Sequence, residues 1–229
     1  MREDPRSKDL VGMCSSECKL GRMSRPVKPS ELNLSAVTLS PRFCIEQGTR
    51  ADGSVKLRAI DDMTRSGLNA ITWASEKLQY EAFDAMLGCI REAHACHGPK
   101  LRLWKADVDS AYRRVPVEES SQNDAWIVFM RNNQPVAARH FALPFGSIAS
   151  VHNWDRIGEL LKAIVRQVLH VPVLRFVDDF FGIAAEEDAD HMMRVFTRHA
   201  HGVSALMMGL GGCVILQVSA LLAGQGGDS

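Results

Sequence analysis

The sequence predicts an α+β fold, an antiparallel sheet backed by helices. Short segments alternate apolar and polar residues, as half-buried strands do. Longer segments repeat apolar residues every three or four positions, as amphipathic helices do. Hairpin signals join these pieces irregularly, which argues against a regular βαβ array. At 229 residues and 46% hydrophobic, the chain can build one substantial core, or a core with a small second lobe.

Residues 1–40 read as a basic, loosely ordered arm. The first thirty are polar, contain Pro5, Pro26 and Pro29, and hold seven Lys/Arg against four Asp/Glu. Residues 55–60, VKLRAI, alternate as a half-exposed strand. From Trp73 to His97 the apolar positions Trp73, Tyr80, Phe83, Leu87 and Ile90 predict one amphipathic helix, stopped at Gly98–Pro99. LRLWKADV (101–108) reads as a strand. WIVFM (126–130), the turn RNNQP and VAARHFAL (136–143) read as a hairpin. Ser150 to His170 is helical, with a stripe of Val151, Trp154, Ile157, Leu161, Ile164 and Val168, and Pro172 lies just beyond it. VPVLRFV and FFGIAA are two short apolar strands hinged at Asp178–Asp179, and residues 186–200 form a further helix.

The charge balance, 27 basic against 27 acidic residues, does not advertise a nucleic-acid partner, although a basic groove is a local property that a balanced chain can still possess. The six cysteines show no paired CxxC spacing, and no apolar signal-peptide segment opens the chain, so reduced thiols in an intracellular protein are expected. The Cys89, His94, Cys96 and His97 cluster has the spacing of no standard zinc site. Residues 203–229 form an aberrant apolar end: Val203 to Ala223 contains no charge over 21 residues. That length could span a bilayer. Gly209, Gly211, Gly212 and Gln217 weaken such a helix, and no basic cluster flanks it. A core segment or an altered terminus is the expected reading, with a tail anchor as the lesser alternative.

Asp178 and Asp179 interrupt an otherwise apolar run, LRFVDDFFGI. Two carboxylates about 4 Å apart repel by about 4 kcal/mol at an effective dielectric near 20. Alone, they suit a solvated turn, where Asp is favoured. A second acidic site, Asp107 and Asp109, ends another apolar strand. If the two strands are neighbours, Asp107, Asp178 and Asp179 can converge, and a divalent cation, most naturally Mg²⁺, would offset the repulsion. Two such ions serve phosphoryl transfer.

In order along the chain, KADVDSAYRRVPV, FALPFGSIASVHNWDR and LRFVDDFFGI resemble motifs A, B and C of the reverse transcriptases of retroviruses and retrotransposons. The D-x-x-x-A-[FY] pattern falls on Asp107, Ala111 and Tyr112. L-P-F-G falls on Leu143, Pro144, Phe145 and Gly146, and aromatic-x-Asp-Asp on Phe176, Val177, Asp178 and Asp179. Upstream, VKLRAIDD is similar to that family's fingers segment. The resemblance runs from about Lys56 to about His199. It implies a palm domain with partial fingers over residues 41–202, and an RNA-directed DNA polymerase that joins dNTPs to a primer 3′-hydroxyl on an RNA or DNA template. It further implies two Mg²⁺ ions (Mn²⁺ as substitute) on Asp107 and Asp178, with Asp179 completing the carboxylate set. Lys56 and Arg58 would hold the triphosphate, Tyr112 would reject a ribose 2′-hydroxyl, and Phe145 and Gly146 would lie near the nucleotide. Trp154 and Arg156, in the family's F-x-R place, are expected to pack their helix.

The match departs from the family at Val151, where a proline is usual, and after motif C. There the family continues into a lysine-bearing segment, a primer grip and a helical thumb, none of which residues 203–229 resemble. The expectation is a truncated polymerase copy, consistent with a shifted reading frame near residue 202. Two rivals stand beside it. One is an inactive retroelement relic that binds nucleic acid weakly. The other is a D-x-D metal-dependent phosphatase of the haloacid-dehalogenase type with Asp107 as nucleophile, against which Ala111 occupies a position that family gives to Thr or Val.

Overall fold

Asn132 and Asn133 both adopt positive φ, 52° and 59°, and form the two-residue loop of a hairpin. Asn tolerates that conformation better than most residues, and two such residues match the twist of the strands they join. The strands are Trp126–Arg131 and Gln134–Arg139, so the predicted hairpin is present, its second strand shorter than expected. The computed structural model describes residues 6–108 and 110–207, the last seven as backbone alone. In chain order its elements are α1 (Ser7–Lys19), β1 (Leu39–Thr49), β2 (Val55–Asp61), α2 (Leu68–Ile71), α3 (Phe83–His97), β3 (Leu101–Asp107), β4 and β5 (the hairpin strands), α4 (Ile148–Gln167), β6 (Leu174–Phe176), β7 (Asp179–Ala185) and α5 (Ala189–Met207). The fold is α+β.

The described residues divide into two units, each built from two stretches of chain. One unit contains residues up to 75 and 112–152, the other 76–111 and those from 153 onward. The first holds a four-stranded sheet in the order β2-β1-β4-β5. Its β1–β4 contact is parallel, which corrects the expectation of a purely antiparallel sheet; long-range pairing of this kind leaves no local sequence signal. The second unit holds an antiparallel three-stranded sheet in the order β3-β7-β6.

Two further expectations are corrected. The N-terminal arm is not loosely ordered over residues 7–19: helix α1 buries Leu10 and Cys14, four residues apart on one face, against Met23, Cys44, Ile127, Phe129 and Ala138. Burying a leucine of this kind stabilises by about 1.5–3 kcal/mol, enough to outweigh the polar composition around it. The helix expected from Trp73 begins only at Phe83, and Trp73 is exposed. Within the second unit, the Glu81 carboxylate accepts hydrogen bonds from Lys162 Nζ (2.8 Å), Arg166 Nη2 (2.9 Å) and the Arg175 backbone N–H (3.1 Å). These anchor the chain just before α3. Gly98 ends α3 as expected, with φ +78° and its N–H on the His94 carbonyl.

In the second unit, Phe196 of α5 lies between Trp104 of β3 and Phe180 of β7, with ring centroids 5.5 and 5.0 Å away. Opposite Trp104 in the ladder stands Gly182, where a Cβ would come within 2.5 Å of the indole ring. The indole therefore lies flat across β7 only because that strand has no side chain there. No helix among the described residues is long and apolar enough to cross a membrane. Residues 203–207 continue α5, and the remainder of the apolar end lies outside the described residues.

Candidate functional site

The carboxylates lie in the second unit, where β3 and β7 pair antiparallel with Asp107 opposite Asp179. Directly opposed residues share one face of the sheet, with Cβ atoms about 5 Å apart, so register alone brings these two acids together. Lys105, two positions before Asp107 and therefore on the same face, places Nζ 2.8 Å from Asp179 Oδ2. Both partners are partly exposed, so the pair moderates the like-charge repulsion without abolishing it.

Asp178 occupies the loop between β6 and β7. Phe176 pairs with Asp179, so the loop consists of Val177 and Asp178, one position earlier than the hinge expected from sequence. The Asp178 carbonyl accepts the Val108 N–H at 3.2 Å, which ties the loop to the end of β3. Val177 has φ +57°, while Asp178 does not have a positive φ. A positive φ at the first loop residue marks a type II′ turn, a place normally given to glycine. For a β-branched residue it costs on the order of 1–3 kcal/mol. Asp109 lies outside the described residues.

Carboxylate oxygens are the ligands Mg²⁺ and Mn²⁺ prefer, and Mg²⁺ used in phosphate chemistry commonly takes only one or two of them, with water and substrate oxygens filling its shell. The donor set of Asp107, Asp178 and Asp179 suits that demand. Among the described residues, no group of three or more His, Cys, Asp or Glu side chains is placed to hold a metal ion, so the structure brings Asp107 opposite Asp179 with Asp178 in the adjoining loop but does not gather all three acids as expected from the sequence.

The other predicted residues lie in the first unit. Tyr112 and Phe145 meet edge to face with centroids 5.4 Å apart, and the Arg58 guanidinium lies 4.7 Å from the Phe145 centroid. Arg58 and Lys56 are two apart on β2 and share a face, Lys56 exposed and Arg58 half-buried. The segment bearing Phe145 is fixed by Arg113, which donates from Nη1 to the Ala142 and Leu143 carbonyls (2.6 and 3.1 Å) and from Nε to Glu17 of α1 (2.9 Å). Gly146 has φ +97°, and a Cβ there would stand 2.1 Å from the Asp61 carbonyl oxygen. Asn69 clasps the same loop, donating from Nδ2 to the Gly146 carbonyl (2.9 Å) while its Oδ1 accepts the Ile148 N–H (3.0 Å). All five nucleotide-site candidates thus lie in one unit on three segments: Lys56 and Arg58 on β2, Tyr112 in the turn 111–114, and Phe145 and Gly146 in the loop before α4.

Beneath that group is a buried ionic pair that sequence reading missed. Arg42 Nε lies 3.3 Å from Asp61 Oδ1, and His140 Nε2 lies 3.0 Å from Asp61 Oδ2. Burial alone would raise the Asp61 carboxyl, but Arg42 and then His140 outweigh it and hold the group below its ordinary 3.8. Burial also pushes the His140 imidazole below its ordinary 6.5, against the pull of Asp61. Both groups therefore bind protons less readily folded than unfolded, so stability is full above these ordinary values and lost as pH falls through them toward the folded ones. Each such group contributes a slope of up to about 1.4 kcal/mol per pH unit. The melting temperature is expected to fall between pH 7.5 and 5, and His140→Gln, which still offers Asp61 an N–H, should flatten that segment. An equally steep wild-type and variant profile would remove His140 as the cause.

No protein-family model matches the chain, and no curated protein matches it. The sequence also gave no sign of Lys105 as the Asp179 partner or of Asn69 as a clasp; only cross-strand register and loop contacts reveal them. Trp154 packs its helix as expected and is 4% exposed, while Arg156 lies outward and pairs with Glu76 at 2.7 Å.

Proposed function

We propose that the chain is the fingers and palm portion of a retroelement RNA-directed DNA polymerase, which transfers deoxynucleotides to a primer 3′-hydroxyl. The observation that supports this reading best is the cross-strand meeting of Asp107 with Asp179 beside Asp178 at a hairpin loop. The ordered motifs D-x-x-x-A-Y, L-P-F-G and F-V-D-D supply the chemical context. In this reading Asp107 and Asp178 hold two Mg²⁺ or Mn²⁺ ions, with Asp179 completing the set. Bound there, the ions would activate the attacking oxygen and stabilise the leaving one.

The remaining residues bind and select. Lys56 and Arg58 donate charge-assisted hydrogen bonds to the triphosphate. Tyr112, braced by Phe145, blocks space that a ribose 2′-hydroxyl would need. Gly146 lets the nucleotide or template approach the backbone closely. The partners are an RNA or DNA template–primer and dNTPs, inside the cell.

The test is extension of a labelled DNA primer on an RNA template in Mg²⁺, with dNTPs and with NTPs. The wild-type chain should add template-matched deoxynucleotides, and EDTA should stop it. Tyr112→Ala should raise ribonucleotide use relative to dNTP use by roughly tenfold or more, since losing one steric contact is worth ~1–3 kcal/mol of discrimination. Unchanged sugar selectivity would remove Tyr112 as the gate. A folded wild-type chain that adds nothing counts against the polymerase reading.

A further inference from the structure

The loop bearing Asp178 contains a valine in a conformation that glycine usually supplies, with φ +57° at Val177. Such a residue persists when its surroundings over-determine it. Two donors converge on its carbonyl oxygen: Arg175 Nη1 at 2.7 Å and Trp154 Nε1 at 3.0 Å. Both side chains are buried, Arg175 fully and Trp154 to 4% exposure. The rest of the Arg175 fork is fixed on α4. Nε and Nη2 donate to Glu159 at 3.1 and 2.9 Å, and Nη2 also donates to Asp155. Helix α4 makes room for it at Gly158, where a Cβ would stand 2.6 Å from Arg175 Nη1. Two hydrogen bonds to one carbonyl, an acidic cradle and a missing side chain all serve the same peptide.

We propose that Arg175 and Trp154 are positioning residues. They fasten the Val177 carbonyl to α4 and so set the direction in which Asp178 and Asp179 leave the turn. The inference rests on the reading of Asp107, Asp178 and Asp179 as a divalent-metal centre, and it assigns the aim of two of those acids to a clamp that touches neither metal nor substrate. Groups that orient metal ligands typically change metal affinity 10- to 100-fold when removed.

Removing the Arg175 charge would leave the buried Asp155 carboxylate without that cation, so the test begins with Trp154→Phe, which deletes the N–H donor and leaves a smaller aromatic ring in its place. Gly158→Ala, which pushes on the guanidinium, is the second variant. Backbone chemical shifts and the amide-to-Hα coupling of Val177 report its φ, and titration with Mn²⁺ followed by electron paramagnetic resonance reports affinity. Both variants should move Val177 out of the left-handed region and weaken Mn²⁺ binding about tenfold. Val177→Gly introduced into the Trp154→Phe chain should restore most of that affinity, because glycine takes positive φ without strain. A merely structural role would lower the melting temperature and would not be rescued by glycine.

Three results overturn the clamp: Val177 unmoved in both variants, Val177 moved with Mn²⁺ affinity intact, or no rescue by Val177→Gly. A wild-type chain that binds no Mn²⁺ overturns the metal-centre reading itself and this inference with it.

Discussion

Asp178→Asn, and equally Asp107→Asn, is expected to abolish Mg²⁺-dependent primer extension while leaving the fold intact. The substitution keeps the shape of the side chain and removes one negative charge. In the folded chain Asp107 faces Asp179 across the β3–β7 ladder, an arrangement of like charges that costs roughly 0.2–1 kcal/mol. Asp107→Asn therefore relieves repulsion, and its melting temperature should be equal to or slightly above that of the wild type. Activity should fall on the order of 10³-fold or more, since the loss of one principal charge-stabilising group already costs 10²–10³. The opposite movement of stability and activity is the informative feature, because general damage lowers both. Extension that persists undiminished in Asp178→Asn would show that the metal site has been assigned to the wrong residues.

Gly146→Ala should be the most destabilising of the glycine-to-alanine substitutions at the described glycines of the first unit. The added Cβ would stand 2.1 Å from the Asp61 carbonyl oxygen, a backbone atom at the end of β2 that cannot swing aside. The residue also sits at φ +97°, where an L side chain is strained in any surroundings. Overpacking of this kind costs about 1–3 kcal/mol, and the backbone conformation adds about 1–2 more, for a loss of about 3 kcal/mol or greater in urea unfolding. Gly53→Ala is the control: φ is +80°, but nothing lies within 4 Å of the added atom. Its cost should be only the conformational part, about 1–2 kcal/mol. Equal losses in the two variants would show that the contact with Asp61 is not what fixes the L-P-F-G loop.

These expectations show where the sequence was readable. Strands β2 and β3, helix α4 and the β4–β5 hairpin follow from alternation, periodicity and the Asn132–Asn133 turn, all of which are local. Strand β1 was not legible because its inward positions include Ser40 and Arg42, both buried, so the usual pattern is inverted. Arg42 is tolerated inside because Asp61, distant in sequence, meets it there and is itself held by His140. Helix α1 was hidden by its polar surroundings, since Leu10 and Cys14 alone among its apolar residues are fully buried, with Val11, Met13 and Cys18 only partly covered beside them.

The candidate acids were legible as residue types, and the facing of Asp107 and Asp179 followed from a single assumption of neighbouring strands. What no local pattern could disclose was the turn itself. A valine at a glycine-like position argues against the conformation it adopts, until the Arg175 and Trp154 donors are seen converging on its carbonyl. Lys105 was passed over for a similar reason: a lysine on an exposed strand face looks like ordinary solvated charge, and only the β3–β7 register places it against Asp179.

The most direct test of the carboxylate centre is a Mn²⁺ titration of the wild-type chain beside Asp107→Asn, read from the electron paramagnetic resonance signal of the free ion. The wild type should withdraw Mn²⁺ from solution, Mg²⁺ should compete it off, and the variant should withdraw much less. If wild type and variant give the same titration, the acids facing each other across β3 and β7 form no metal centre.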